Sequence, residues 1–88
     1  MENANPGAGW WVYLLRCGDG SIYTGITNDL DRRLKSHQAG SASRYTRTRL
    51  PVEIVYRESQ PDRSNALRRE AEIKRFPRAR KQRLINGH

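Results

Sequence analysis

At 88 residues the chain has room for one domain with a small core. Its formal net charge of +8 favours a polyanionic partner, because each Lys or Arg that neutralises a phosphate releases a counterion. Cys17 is the only cysteine, which excludes an internal disulfide and a cysteine-rich zinc site, and no apolar run approaches the roughly 20 residues that span a bilayer.

Residues 1–9 are small, polar and rich in Gly and Pro, and read as a disordered leader to a single domain over residues 10–85, with residues 86–88 as a tail. The leader lacks the basic and apolar regions of a signal peptide, so a cytoplasmic location is expected. Residues 10–17 are apolar and aromatic without strict alternation, as in a strand covered on both faces. Gly18-Asp19-Gly20 is a turn signal, and residues 21–27 read as the second strand of a β-hairpin. The preferred turn is a three-residue loop with Gly20 left-handed, which sets Cys17 opposite Ser21, Leu15 opposite Tyr23 and Tyr13 opposite Gly25. Tyr13 and Tyr23 then share a sheet face, and Gly25 leaves open space beside the Tyr13 ring. A two-residue Asp19-Gly20 turn would put the tyrosines on opposite faces.

Thr27 or Asn28 is placed to cap a first helix running to about His37, with Asp29 and Asp31 in its first turn. Residues 39–50, polar and basic, read as a loop. A third strand covers 51–56 and ends near Glu58. Asp62 or Ser64 caps a second helix, which yields near Pro77, and residues 78–85 form a last short helix. The order β-β-α-β-α-α predicts an α+β domain: a small three-stranded, mainly antiparallel sheet flanked by helices.

Both longer helices carry polar groups on their inner sides. In the first, Leu30 and Leu34 define the buried stripe, His37 falls between them in angle, and Arg33 lies on its edge, about 60° from Leu30. Arg32 points to the opposite side. His37 reads equally as a satisfied helix-end histidine or as a site residue. In the second, Ala66, Leu67, Ala71 and Ile73 span one arc and Arg68, Arg69, Glu72 and Arg75 the other, yet Glu70 and Lys74 fall inside the apolar arc. A core-facing carboxylate needs a partner. An i,i+4 Glu70–Lys74 pair at the rim and a metal ligand are equal readings of it.

Val12-Tyr13-Leu14, Tyr23-Thr24-Gly25, Arg33, His37 and Ala66-Leu67-Arg68-Arg69-Glu70 together resemble the GIY-YIG nuclease superfamily, and most of all its small stand-alone bacterial members of the YhbQ type. The pieces are weak singly and specific in their order and spacing. The resemblance covers the chain from about Trp10 to Lys74. It implies the GIY-YIG fold and an endonuclease that hydrolyses DNA phosphodiester bonds in repair or recombination, using one Mg²⁺ or Mn²⁺. Tyr13 stands at the first motif's tyrosine, although Val12 and Trp11 replace its usual Ile and Gly. Tyr23 and Gly25 match the second motif, with Thr24 in place of Ile. Arg33 matches the catalytic arginine, His37 a frequent polar position, and Glu70 the metal-holding glutamate. Many members complete the site with a late polar residue, often Asn; Asn86 is a candidate by residue type alone.

In the implied mechanism Glu70 holds the cation, Arg33 steadies charge on the scissile phosphate, and Tyr13 or Tyr23 acts as base while the other orients water or phosphate. His37 serves as a second acid/base or a phosphate contact. A phenol titrates near pH 10, so a base role needs its pKa lowered or its proton coupled to the cation's chemistry. Arg44, Tyr45, Arg47 and Arg49 in the long basic segment look like a surface that grips a nucleic-acid backbone, with Lys74 beside them. Nothing resembles base-edge readout, so structure- or backbone-directed recognition of DNA, branched or single-stranded, is expected, with no membrane partner. Two rival readings stay open: a non-catalytic nucleic-acid-binding module, and a nuclease that depends on a protein partner for targeting.

Overall fold

A computed structural model describes residues 9–87. Its elements are β1 (Trp10–Arg16), β2 (Ile22–Thr27), α1 (Leu30–Gln38), α2 (Arg44–Arg47), β3 (Glu53–Gln60), α3 (Arg63–Lys74) and α4 (Arg78–Asn86). The strands form one antiparallel sheet in the order β2-β1-β3. The expected leader lies outside the described residues except for Gly9.

As the central strand, β1 is buried from Val12 through Leu15. Val12 and Leu14 pack with Ala66 and Ile73 of α3 and with Leu84 and Ile85 of α4. Tyr13 and Leu15 pack on the other side with Cys17, Val52, and Leu30 and Leu34 of α1. Helices therefore cover both sheet faces, which is why the first strand shows no polar alternation. A bulge between Leu14 and Leu15 shifts the β3 register, and Val55 and Tyr56 both pack toward α3.

The hairpin has the three-residue loop. Cys17 N–H donates to Ser21 C=O at 2.9 Å, Gly20 N–H donates to Cys17 C=O at 2.9 Å, and Gly20 has φ +86°. Leu15 pairs with Tyr23 and Tyr13 with Gly25, so the two tyrosines share a face.

Several boundaries differ from expectation. Asp29, not Thr27 or Asn28, caps α1, its carboxylate accepting from Arg32 N–H; Thr27 Oγ1 instead accepts from Asp29 N–H and sets the preceding turn. The expected loop over 39–50 contains α2, because the Ser43 hydroxyl accepts from Tyr45 and Thr46 N–H. Strand β3 begins at Glu53 and reaches Gln60, since pairing with β1 continues to Trp10. Asp62 caps α3, and Asn86 closes α4 rather than opening a tail, with Gly87 in the left-handed conformation behind it.

On α3 the apolar arc is narrower than the wheel predicts. Leu67 is 39 % exposed and Ala71 is exposed, and only Ala66 and Ile73 are fully buried. Ala66, Glu70 and Ile73 stand at i, i+4 and i+7, a single stripe with the carboxylate in its middle. Arg69, expected in solvent, is half-buried. Its guanidinium donates to Glu58 from Nε at 2.8 Å and to Glu72 from Nη1 at 2.8 Å, and Tyr56 and Gln60 also donate to Glu58. Burial acts to raise the Glu58 pKa, but the hydrogen bonds from Arg69 and Tyr56 outweigh it and hold the carboxyl below its usual range. Arg69→Ala would leave the half-buried Glu58 carboxylate without its cation, held only by Tyr56 and Gln60, and a urea titration should show a loss of about 1–3 kcal/mol. Arg69→Ala combined with Glu58→Gln should recover part of that loss.

Candidate active site

The site is built where the Tyr13 ring crosses the backbone of β2. A Cβ on Gly25 would lie 2.5 Å from Tyr13 Oη and 2.6 Å from Cζ. The space expected beside the ring is thus filled by the ring itself, and only glycine permits the crossing. The crossing carries the phenol toward α1, where Tyr13 Oη lies 2.8 Å from His37 Nε2. His37 Nδ1 lies 2.8 Å from Thr46 Oγ1, and that hydroxyl reaches Ser43 C=O at 3.5 Å.

One assignment of hydrogens satisfies the whole chain of groups. The Tyr13 hydroxyl donates to Nε2, Nδ1–H donates to Thr46 Oγ1, and the Thr46 hydroxyl donates to Ser43 C=O. His37 is 1 % exposed and Thr46 is fully buried. Burial, and secondarily the Arg33 charge, lower the His37 pKa, so the imidazole is neutral at pH 7. Burial is also the main reason that the Tyr13 pKa is raised well above the usual phenol value. Tyr23 and Glu70 add to the rise, and Arg33 opposes it.

Tyr13, Tyr23 and His37, from β1, β2 and α1, are thus in contact, and the charges of Arg33 on α1 and Glu70 on α3 bear on the Tyr13 phenol in opposite senses. The Tyr23 ring lies 6.5 Å from Tyr13, 5.2 Å from His37 and 6.0 Å, stacked, from Tyr45. The Arg33 side chain is exposed and makes no ion pair among the described residues. It lines a groove of about 460 Å³ with Arg32, Ser36 and residues 27–29. Arg32, expected on the opposite side, thus shares a concave surface with Arg33.

The GIY-YIG catalytic domain model matches residues 9–83. The chain belongs to the GIY-YIG family. A UPF0213 protein of Xanthomonas axonopodis pv. citri is 51 % identical over 72 residues, covering 82 % of this chain and 71 % of the relative. One from Staphylococcus aureus is 45 % identical over 75 residues, covering 85 % and 92 %. The solution NMR structure of a Bacillus halodurans UPF0213 protein superposes with TM-score 0.57 at 43 % identity, over 88 % of this chain and 82 % of that one. A protein of E. faecalis, also solved by NMR, gives TM-score 0.63 at 35 % identity, over 99 % and 90 %. These neighbours share the three-stranded sheet with its flanking helices, and within this nuclease family the chain is similar to small bacterial UPF0213 proteins.

Within this GIY-YIG domain Glu70 is the carboxylate suited to a cation. Its side chain is 18 % exposed, and its ion-pair partner is Lys74, with Nζ to Oε2 at 3.5 Å. The pair expected at the rim therefore exists. Lys74 is 56 % exposed, and such an i,i+4 pair contributes only about 0.3–0.5 kcal/mol. Among the described residues no group of three or more His, Cys, Asp and Glu could hold a metal. A lone carboxylate beside a phosphate suits Mg²⁺, which keeps several waters and binds through one or two carboxylates plus phosphate oxygens.

The basic segment divides. Arg44 and Arg47 are exposed and free of ion pairs among the described residues. Arg49 is committed: Nε donates to Asp19 at 3.1 Å, Nη1 donates to Tyr45 C=O at 2.8 Å, and the guanidinium covers the Tyr45 ring at 3.8 Å. It ties α2 to the hairpin turn rather than standing free for phosphate. Burial of His37, with both nitrogens engaged, likewise removes it as a direct phosphate contact. Asn86 is exposed and accepts from Gln82 Nε2, and nothing places it in the site. Sequence reasoning missed Thr46 because the segment read as loop; Ser43, a good cap residue, was the available signal.

Gly25→Ala should push its methyl into the Tyr13 hydroxyl and cost about 1–3 kcal/mol in a urea titration. A second expectation concerns pH. The folded His37 pKa is lowered, so below the unfolded imidazole value of about 6.5 the unfolded chain binds the proton first. The His37 contribution is complete above that pH and is lost as pH falls toward the folded value. Between pH 7 and 5 the melting temperature should fall, and His37→Gln should flatten the dependence.

Proposed function

We propose that this chain is a divalent-cation-dependent endonuclease that hydrolyses DNA phosphodiester bonds by backbone- or structure-directed recognition, in repair or recombination. The observation that carries the reading is the buried Tyr13–His37 hydrogen bond, with Arg33 and Glu70 acting in opposite senses on the same phenol. Membership of the GIY-YIG family supports it.

The raised Tyr13 pKa argues against a standing phenolate. The relay avoids the need for one. As water attacks phosphorus, Tyr13 Oη takes the water's proton and passes its own to His37 Nε2. The imidazolium so formed keeps Nδ1–H on Thr46 Oγ1. The new P–O bond forms as the bond to the leaving oxygen breaks; that oxygen departs with the electron pair and takes a proton from solvent, and the imidazolium returns its proton through Tyr13 Oη to solvent. A neutral imidazole is required at the start, and burial supplies it. Tyr23 takes the other role, orienting water or phosphate from beside Tyr13. Arg33, exposed and without an ion pair among the described residues, contacts the scissile phosphate, whose geometry its planar fork matches. Glu70 holds the cation, which when bound contributes Lewis-acid stabilisation of the phosphate and its leaving oxygen. Arg44 and Arg47 add phosphate contacts outside the reacting centre.

Incubation with labelled single-stranded, duplex, flapped and branched DNA, with Mg²⁺ or Mn²⁺ and with EDTA, tests the reading. Cutting should require the cation. Arg33→Ala and Glu70→Ala should each lower the rate by about 10²–10³-fold, and Glu70→Ala should leave binding, measured in EDTA, little changed. Equal cutting by wild type and Glu70→Ala would remove Glu70 from the site. The rate should fall on the acid side at a pH below the ordinary imidazole range, where His37 charges.

A further inference from the structure

The site as described receives substrate from α1 and α2. The opposite flank of Tyr13 is β3, and there the register sets Arg57 directly across from Tyr13. Paired residues of antiparallel strands project from the same face, so one row across the sheet reads Gly25, Tyr13, Arg57. The Tyr13 ring lies over Gly25, toward β2, and so leaves the Arg57 side of the row uncovered by that ring. Arg57 is exposed and makes neither a hydrogen bond nor an ion pair among the described residues. Its guanidinium lies 5.8 Å from the centroid of the Trp11 ring, one pair further along the same face.

This is the arrangement that binding a phosphate calls for. Two other arginines are less available: Arg69 of α3 is held by Glu58 and Glu72, and Arg49, between α2 and β3, by Asp19. An aromatic face steadies the planar group of Arg57 without consuming its donors. We propose that Arg57, positioned by Trp11, is a phosphate-binding residue of this nuclease. It holds the nucleic-acid backbone on the β3 side of Tyr13 while Arg33 holds it on the helical side. The bound strand then runs across the sheet, and the scissile phosphate lies between two guanidiniums. The proposal rests on the nuclease reading and adds a substrate-binding subsite to it.

The test is fluorescence anisotropy of a labelled oligonucleotide, single-stranded and duplex, in EDTA so that no cutting occurs, between roughly 50 and 200 mM NaCl. Arg57→Ala and Arg57→Gln should weaken binding about five- to tenfold. Each should also lower the slope of log K against log salt by about 0.7 for single strands or 0.9 for duplex, the value of one phosphate contact. Arg57→Lys should keep most of the slope, because an ammonium still neutralises a phosphate. Circular dichroism melts of all three should match wild type, the side chain being exposed. Affinity and slope unchanged in Arg57→Ala, beside a wild type that binds and cuts, would overturn the role of Arg57 alone. So would an equal loss in Arg57→Lys, which would make the residue a support for Trp11 only. A wild type that neither binds nor cuts DNA would overturn the nuclease reading and this proposal together.

Discussion

Everything at the candidate site follows from one aromatic ring crossing one glycine. The Tyr13 ring occupies the volume that a side chain at position 25 would fill. From there the phenol reaches the histidine of a helix packed on that face. The register of the hairpin makes the crossing possible, and the left-handed Gly20 in the turn fixes that register. A shift of one residue would send Tyr13 and Tyr23 to opposite faces and leave His37 without a phenol.

The electrostatics follow from where that ring comes to rest. Burial favours the neutral form of both partners, raising the phenol's pKa and lowering the imidazole's, so the pair begins with the proton on oxygen and Nε2 as its acceptor. Two opposite charges reach the phenol from the helices on the two faces of the sheet: Arg33 from α1 and Glu70 from α3. Covering both faces with helices is the means of burying β1, and it sets an arginine and a carboxylate on either side of the strand that carries the phenol.

Much of the fold was legible from local chemistry. The apolar run of β1, the Gly-Asp-Gly turn, Asp62 as a cap and the proline that ends the second long helix are short-range signals, and they set strand count, element order and hairpin register. The misplacements occurred where side chains compete for local hydrogen bonds. Asp29 took the cap expected of Thr27 or Asn28, and Ser43 nucleated a helical turn inside a basic stretch. The wheel of α3 marked Glu70 as anomalous, and the structure sharpens this: the half-buried acid stands between the buried Ala66 and Ile73 on one stripe.

The sequence by itself determined which residues could do chemistry and which share a face, because strand parity and helical periodicity depend only on spacing. The tertiary structure alone decided how those residues are occupied. It made Thr46 the partner of His37, spent Arg49 on Asp19 and Tyr45, drew Arg69 inward to Glu58, and left Arg33 and Arg57 exposed and without an ion pair among the described residues. The reason is that an arginine's availability depends on which acids lie within a few ångströms of it. That distance is set by packing between elements far apart in the chain, and no local pattern encodes it.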